Sequence, residues 1–113
     1  MKDVPIASFV IITRNRKKVL FETLEKIYKR QTPPFEVIVI DNGSSDGTGD
    51  ALGANFNGLV YKRLDANFGI SAWNVGFKLA KGEFIVIQDD DSYPLFDMTD
   101  AVREFEKDER LGL

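Results

Sequence analysis

The sequence predicts an α/β fold: a parallel sheet of about four strands, built β-α-β-α-β-α-β-α, with helices on both faces. Three observations predict it. Short runs of β-branched and aromatic residues alternate with segments whose apolar residues recur at helical spacing. The runs are apolar at consecutive positions, the pattern of strands covered on both faces. The most polar loops follow the second and fourth runs, so they fall at one edge of the sheet.

Ser8 to Thr13 (SFVIIT) is the first such strand. Thr13 or Asn15 is placed to cap the helix that follows. From Arg16 to Arg30, Leu20, Leu24 and Ile27 form one stripe, with Phe21 and Tyr28 beside it, and Thr32, Pro33 and Pro34 end the helix. Glu36 to Ile40 (EVIVI) is the second strand and runs into the glycine-rich loop Asp41-Asn42-Gly43-Ser44-Ser45-Asp46-Gly47. A short helix is expected from Thr48 to Ala54. Leu59 to Arg63 is a less apolar strand suited to a sheet edge. Ile70 to Ala80 is read as a helix with Ala72, Val75, Gly76 and Leu79 inward and Gly82 as its C-terminal cap. Glu83 to Ile87 (EFIVI) is the fourth strand and ends in Gln88-Asp89-Asp90-Asp91-Ser92. Pro94 marks a turn, and Thr99 is placed to cap a last helix carrying Val102 and Phe105.

The 113 residues suit a single domain, 1–113, able to bury roughly 65% of its unfolded surface. Fifteen basic against 18 acidic residues give a net charge of −3, which argues against non-specific nucleic-acid binding. The chain has neither Cys nor His, so thiolate and imidazole chemistry and zinc sites of those ligands are excluded. Catalysis in such a chain runs on carboxylates, amines, hydroxyls and oxygen-bound metal. No apolar stretch reaches the ~18 residues of a membrane span. The apolar start, Val4 to Thr13, precedes its basic cluster, the reverse of an export signal, so a cytoplasmic location is expected.

Four constellations can carry chemistry. Asp89, Asp90 and Asp91 follow a buried strand and repel one another; a divalent cation relieves that repulsion, and an oxygen-only ligand set favours Mg²⁺ or Mn²⁺. Continued strand geometry would point Asp89 and Asp91 the same way, with Asp90 opposite. A solvated acidic turn is the alternative. The Asp41–Gly47 loop offers Asp and Asn to a base edge or ribose, or is an ordinary Asx-turn loop. It is neither a Walker loop nor the dinucleotide fingerprint. Asn67-Phe68-Gly69-Ile70-Ser71 opens a helix whose N–H groups suit an anion, unless it is merely a packed helix start. Arg14, Arg16, Lys17 and Lys18 either hold phosphates or form a solvated helix face.

Together and in order, FVIITRNR, FEVIVIDNGSSDGT, NFGISAWNVGF and KGEFIVIQDDDSYP resemble the nucleotide-binding half of a family 2 glycosyltransferase. The resemblance covers residues 9 to 94 and implies a Rossmann-like sheet forming part of a GT-A domain. It implies that Thr13, Arg14 and Asn15 line the nucleotide, with Arg14 standing where an aromatic is common. Asp41 and Asn42 match the acidic pair after the second strand; Asn42 departs from the commonest pattern, yet its carbonyl can accept from N3–H of uracil or thymine. The Asp-Asn version is similar to members with rhamnosyl or galactofuranosyl donors. Asn67 and Gly69 join the nucleotide-binding set. Asp89, Asp90 and Asp91 match the DXD region: Asp91, with Asp89, would hold the metal, and Asp89 or Asp90 would meet ribose or metal-bound water.

The implied reaction is inverting transfer of a sugar from a UDP-, TDP- or GDP-sugar to an acceptor hydroxyl, with a saccharide or lipid-linked acceptor and a location at the cytoplasmic face of a membrane for a full-length protein. Asp97, Asp100, Glu104, Glu106, Asp108 and Glu109 do not match the family's base motif, so no general base is identified, and the chain is expected to be a truncated, donor-binding portion. An edge strand left open would favour dimerisation. Two other readings compete. A sugar-phosphate nucleotidyltransferase would want a glycine-rich basic loop after the first strand, which TRNRKK lacks. A receiver-like module would carry its acids after strands one and three.

Overall fold

The computed structural model describes residues 5–31, 33–56, 58–65, 69–92 and 97. The elements are β1 (Ala7–Thr13), α1 (Lys17–Arg30), β2 (Phe35–Asp41), α2 (Thr48–Asn55), β3 (Val60–Arg63), α3 (Ala72–Leu79) and β4 (Phe84–Asp89). All pairings are parallel and the strand order is β3-β2-β1-β4. The expected alternation and the edge position of the third strand are both present. The last expected helix, with Thr99, Val102 and Phe105, lies outside the described residues.

Parallel neighbours need crossovers, and right-handed crossovers dictate where the helices go. From β1 the chain steps through β2 to β3 in one direction, placing α1 and α2 on one face. It then returns across the sheet to β4, which places α3 on the other. The burial agrees. Ala7, Phe9 and Ile11 of β1 pack with Val37, Val39, Leu20, Leu24, Ile27 and Leu52. Val10, Ile38, Ile40 and Ala72 form the second core. Each fully buried aliphatic contributes roughly 1.5–3 kcal/mol.

Close approach of α3 depends on Gly76, where a Cβ would collide with Val10 Cγ1. Gly82 is not a helix cap. Ala80 terminates α3 in extended conformation, and Gly82 instead abuts β1, where a Cβ would stand 2.6 Å from Ser8 Oγ. Its N–H donates to Ser8 Oγ (2.8 Å), and Ser8 Oγ donates to Glu36 (2.5 Å). Leu79, expected inward, is 37% exposed. The reason is topological: α3 lies over β1 and β2, leaving the outer β4 residues Ile85 and Ile87 uncovered among the described residues.

Candidate active site at the strand tips

The reversal of strand order falls between β1 and β4. In open α/β sheets that switch point, at the carboxyl ends, is where ligands bind. Three tips meet there in sequence: Asp41 of β2 is the register partner of Thr13 of β1, and Asp89 of β4 that of Ile12. Thr13 ties them together. Its carbonyl accepts the Asn42 N–H (2.8 Å), and its Oγ1 donates to Asp90 Oδ2 (3.0 Å).

The turn after β1 is locked from the β2 loop. Asn15 adopts a left-handed φ of 51°, which Asn tolerates better than most residues. Its N–H donates to Ser44 Oγ (2.8 Å), and its side-chain carbonyl accepts the Ser45 N–H (2.7 Å). Neither Thr13 nor Asn15 caps α1. Arg16 is the N-cap residue without a side-chain bond, and the Lys17 N–H is satisfied by Asp46 Oδ2 (3.0 Å). Asp46 Oδ1 also accepts from the Thr48 N–H (3.2 Å) at the start of α2, so one carboxylate caps two helices.

The Thr48 hydroxyl on Asp46 holds its carboxyl below the usual value. With the folded pKa depressed, the unfolded chain binds the extra proton. The stabilisation is therefore fully present above the unfolded pKa of about 3.9 and is lost as pH falls from there through the lower folded pKa. Asp46→Ala is expected to cost about 1 kcal/mol at pH 7, the usual loss for a cap. That difference from the parent should shrink in melts below about pH 4.

Asp41 is fully buried. Its Oδ1 accepts the Ser44 N–H (2.8 Å) and its Oδ2 accepts the Tyr61 hydroxyl (2.5 Å). Burial, then the bond to Asp41, pushes the Tyr61 phenol well above its ordinary value, so it stays a donor. Tyr61 reaches Asp41 across Gly49, where a Cβ would stand 2.9 Å from the ring. Arg63 donates to Ser44 O (3.0 Å). Asp41, Ser44, Thr48, Tyr61 and Arg63 line a cavity of about 390 Å³ on the β2–β3 side. It lies away from the β4 acids, so an extended ligand, rather than this cavity alone, is what the three tips together suit.

At the β4 tip the strand stops at Asp89 and the next two residues turn. The expected alternation therefore stops at Asp89, two residues short of Asp91. Asp90 and Asp91 converge, each on a different nitrogen of Arg16: NH1 to Asp90 Oδ1 (3.2 Å) and NH2 to Asp91 Oδ2 (3.2 Å). Asp89, expected from the sequence to hold the metal with Asp91, is exposed at the strand end, and it is Asp90 that converges with Asp91 on Arg16. Burial pushes the Asp90 carboxyl up, while the Thr13 hydroxyl and Arg16 act against that. Thr23, buried on α1, donates its hydroxyl to Asp90 O (2.9 Å). Among the described residues no three carboxylates gather at one point. Two carboxylates sharing one positive group still fit Mg²⁺ or Mn²⁺, since Mg²⁺ commonly takes one or two and fills its shell with water and substrate phosphate oxygens.

Of the residues singled out from sequence, Thr13, Asn15, Asp41, Asn42, Asp89, Asp90 and Asp91 stand at adjoining tips. Arg14 is exposed beside them. Gly69 has a left-handed φ of 58° in the 3-10 turn before α3, and Asn67 lies outside the described residues. Sequence reasoning did not single out Thr23, Tyr61 or Arg16's pairing. Thr23 had a signal: a hydroxyl in the apolar stripe, three residues after Leu20.

The structure resembles solved glycosyltransferases. Against the mannosyltransferase PcManGT of Pyrobaculum calidifontis, solved with GDP-Man and Mn²⁺, the TM-score is 0.75 at 26% identity, over 92% of this chain and 33% of that one. Against Staphylococcus aureus TarS 1-349 in complex with UDP-GlcNAc it is 0.76 at 31% identity, over 89% of this chain and 31% of that one. Among sequence relatives, GlyG of Streptococcus pneumoniae is 34% identical over 90 residues, covering 76% of this chain and 30% of GlyG. The glycosyltransferase YwdF of Bacillus subtilis is 38% identical over 88 residues, covering 76% of this chain and 32% of YwdF. The chain thus spans about a third of the length of these relatives. The sequence model described as "Glycosyl transferase family 2" matches residues 8–112, and the chain belongs to that family.

Proposed function

We propose that this chain binds the nucleoside-diphosphate part of a sugar donor, as the donor-binding portion of an inverting glycosyltransferase acting on an acceptor hydroxyl. The observation that carries the reading is the convergence of Asp90 and Asp91 on one positive group, beside Thr13 at the switch point of the sheet. A divalent cation bound by this pair would neutralise charge developing on the departing diphosphate. The residues of the chain do the rest. Thr13 and Thr23 hold Asp90 in place. Asp41 shapes the β2 loop from within, with both oxygens engaged. Asn42, buried on that loop, would read the base, its carbonyl suiting the N3–H of uracil or thymine.

The donor is a UDP-, TDP- or GDP-sugar. The complexes of TarS with UDP-GlcNAc and of PcManGT with GDP-Man and Mn²⁺ support that class. Calorimetric titration of the chain with UDP, TDP and GDP, with Mn²⁺ and then with excess chelator, tests it. Saturable binding that the chelator removes is the expected result. No metal-dependent binding of any of the three would overturn the reading.

A further inference from the structure

We propose that Arg16 is the residue that couples cation binding to donor binding. Its guanidinium serves as the internal counter-charge of Asp90 and Asp91. A divalent cation drawn to the same two carboxylates competes with it, and the guanidinium so loosened then pairs with the donor's diphosphate. The inference rests on the reading of Asp90 and Asp91 as the cation-binding pair.

The geometry makes the side chain, and not its surroundings, the part that moves. The Arg16 backbone is fixed from both sides. Its carbonyl accepts the Leu20 N–H (2.9 Å), and its neighbours Asn15 and Lys17 donate their N–H groups to Ser44 and Asp46. Asp90 is fixed as well: its side chain is 9% exposed, Thr13 holds one carboxylate oxygen, and Thr23 holds the backbone carbonyl. The Arg16 side chain is 46% exposed and meets Asp90 and Asp91 through its fork, so it has a path to solvent.

The chemistry supplies the coupling. A guanidinium and a divalent cation held by the same two carboxylates repel one another, so each weakens the other's binding. A cation arriving alone therefore weakens the pairing of Arg16 with both carboxylates and offers nothing in return. A cation arriving with a diphosphate offers Arg16 a replacement, because the planar fork suits phosphate oxygens as well as carboxylate. Cation and nucleotide should then bind with positive, reciprocal coupling. Lys17 does not duplicate the role, since its Nζ lies beside Gly47 on the β2 loop.

The test compares the parent chain with Arg16→Gln and Arg16→Lys. Free Mn²⁺ is followed by electron paramagnetic resonance, and UDP and GDP are each titrated with and without Mn²⁺. Arg16→Gln should bind Mn²⁺ alone about fivefold to tenfold more tightly than the parent, while the enhancement of nucleotide affinity by Mn²⁺ falls by a similar factor. Arg16→Lys keeps the charge but loses the fork, and should lie between the two. It also serves in place of Arg16→Gln should a circular dichroism melt show the latter unfolded. Unchanged or weaker Mn²⁺ binding in the folded variants, or unchanged coupling, overturns the role of Arg16 and leaves the donor-binding reading intact. Absence of Mn²⁺-dependent nucleotide binding in the parent overturns both.

Discussion

Asp91→Ala is expected to lower Mn²⁺-dependent affinity for a nucleoside diphosphate by about 100-fold or more while leaving the fold nearly untouched. The two halves of this expectation have separate causes. Asp91 is 50% exposed and, among the described residues, makes one ion pair, to a similarly exposed Arg16. Pairs of that kind contribute about 0–1 kcal/mol, so the melting temperature should move by only a few degrees. Binding is another matter. Groups that merely orient a metal ligand are worth about 10–100-fold in affinity, and a ligand itself should be worth at least that. Calorimetry on the variant, beside its melting curve, reads both. An affinity within threefold of the parent's would show that Asp91 does not hold the cation.

Asp41→Ala should have the opposite profile, a large loss of stability. The carboxylate is fully buried and holds two donors, the Ser44 N–H and the Tyr61 hydroxyl. Truncation removes both acceptors: the buried Ser44 N–H left unsatisfied costs about 1–3 kcal/mol, and the part-buried Tyr61 hydroxyl loses a charge-assisted bond besides. A total of about 2–5 kcal/mol is a large share of the 5–15 kcal/mol typical of a domain. The melting temperature should fall by roughly 10–25 °C. Asp41→Asn should cost much less. Its carbonyl can still accept from Ser44, and its NH₂ can donate to the Tyr61 oxygen once that hydroxyl turns. Chemical denaturation of the three proteins would rank them. Equal losses in Asn and Ala would mean that the charge of Asp41, rather than its two acceptors, is what matters.

The contrast between Asp41 and Asp91 also shows what the sequence discloses. Both are acids at the end of an apolar strand run, and that position was legible. So were the alternation of strands and helices, the edge placement of β3 and the gathering of polar loops at one end, because each follows from local spacing and right-handed crossovers. What distinguishes the two acids was not legible. Asp41 is sealed by a tyrosine from a strand 20 residues on, admitted only because residue 49 has no side chain. Asp91 leans outward on an arginine 75 residues earlier. Such pairings arise when β3 and β4 take their places on either side of β2 and β1, which no local window contains. The same cause misdirected the caps: Thr13 and Asn15 have the right chemistry for the start of α1, but a loop carboxylate 29 residues away takes the position. Gly82, well placed in sequence for a helix end, is needed because β1 passes too close for a Cβ.

The double duty of Asp46 has a dynamic consequence. The amides of Lys17 and Thr48 share one acceptor, so they should lose protection from solvent hydrogen together. A fluctuation that lifts the loop releases the first turns of α1 and α2 at once, making the rim of the site a single opening unit while the strands beneath stay shut.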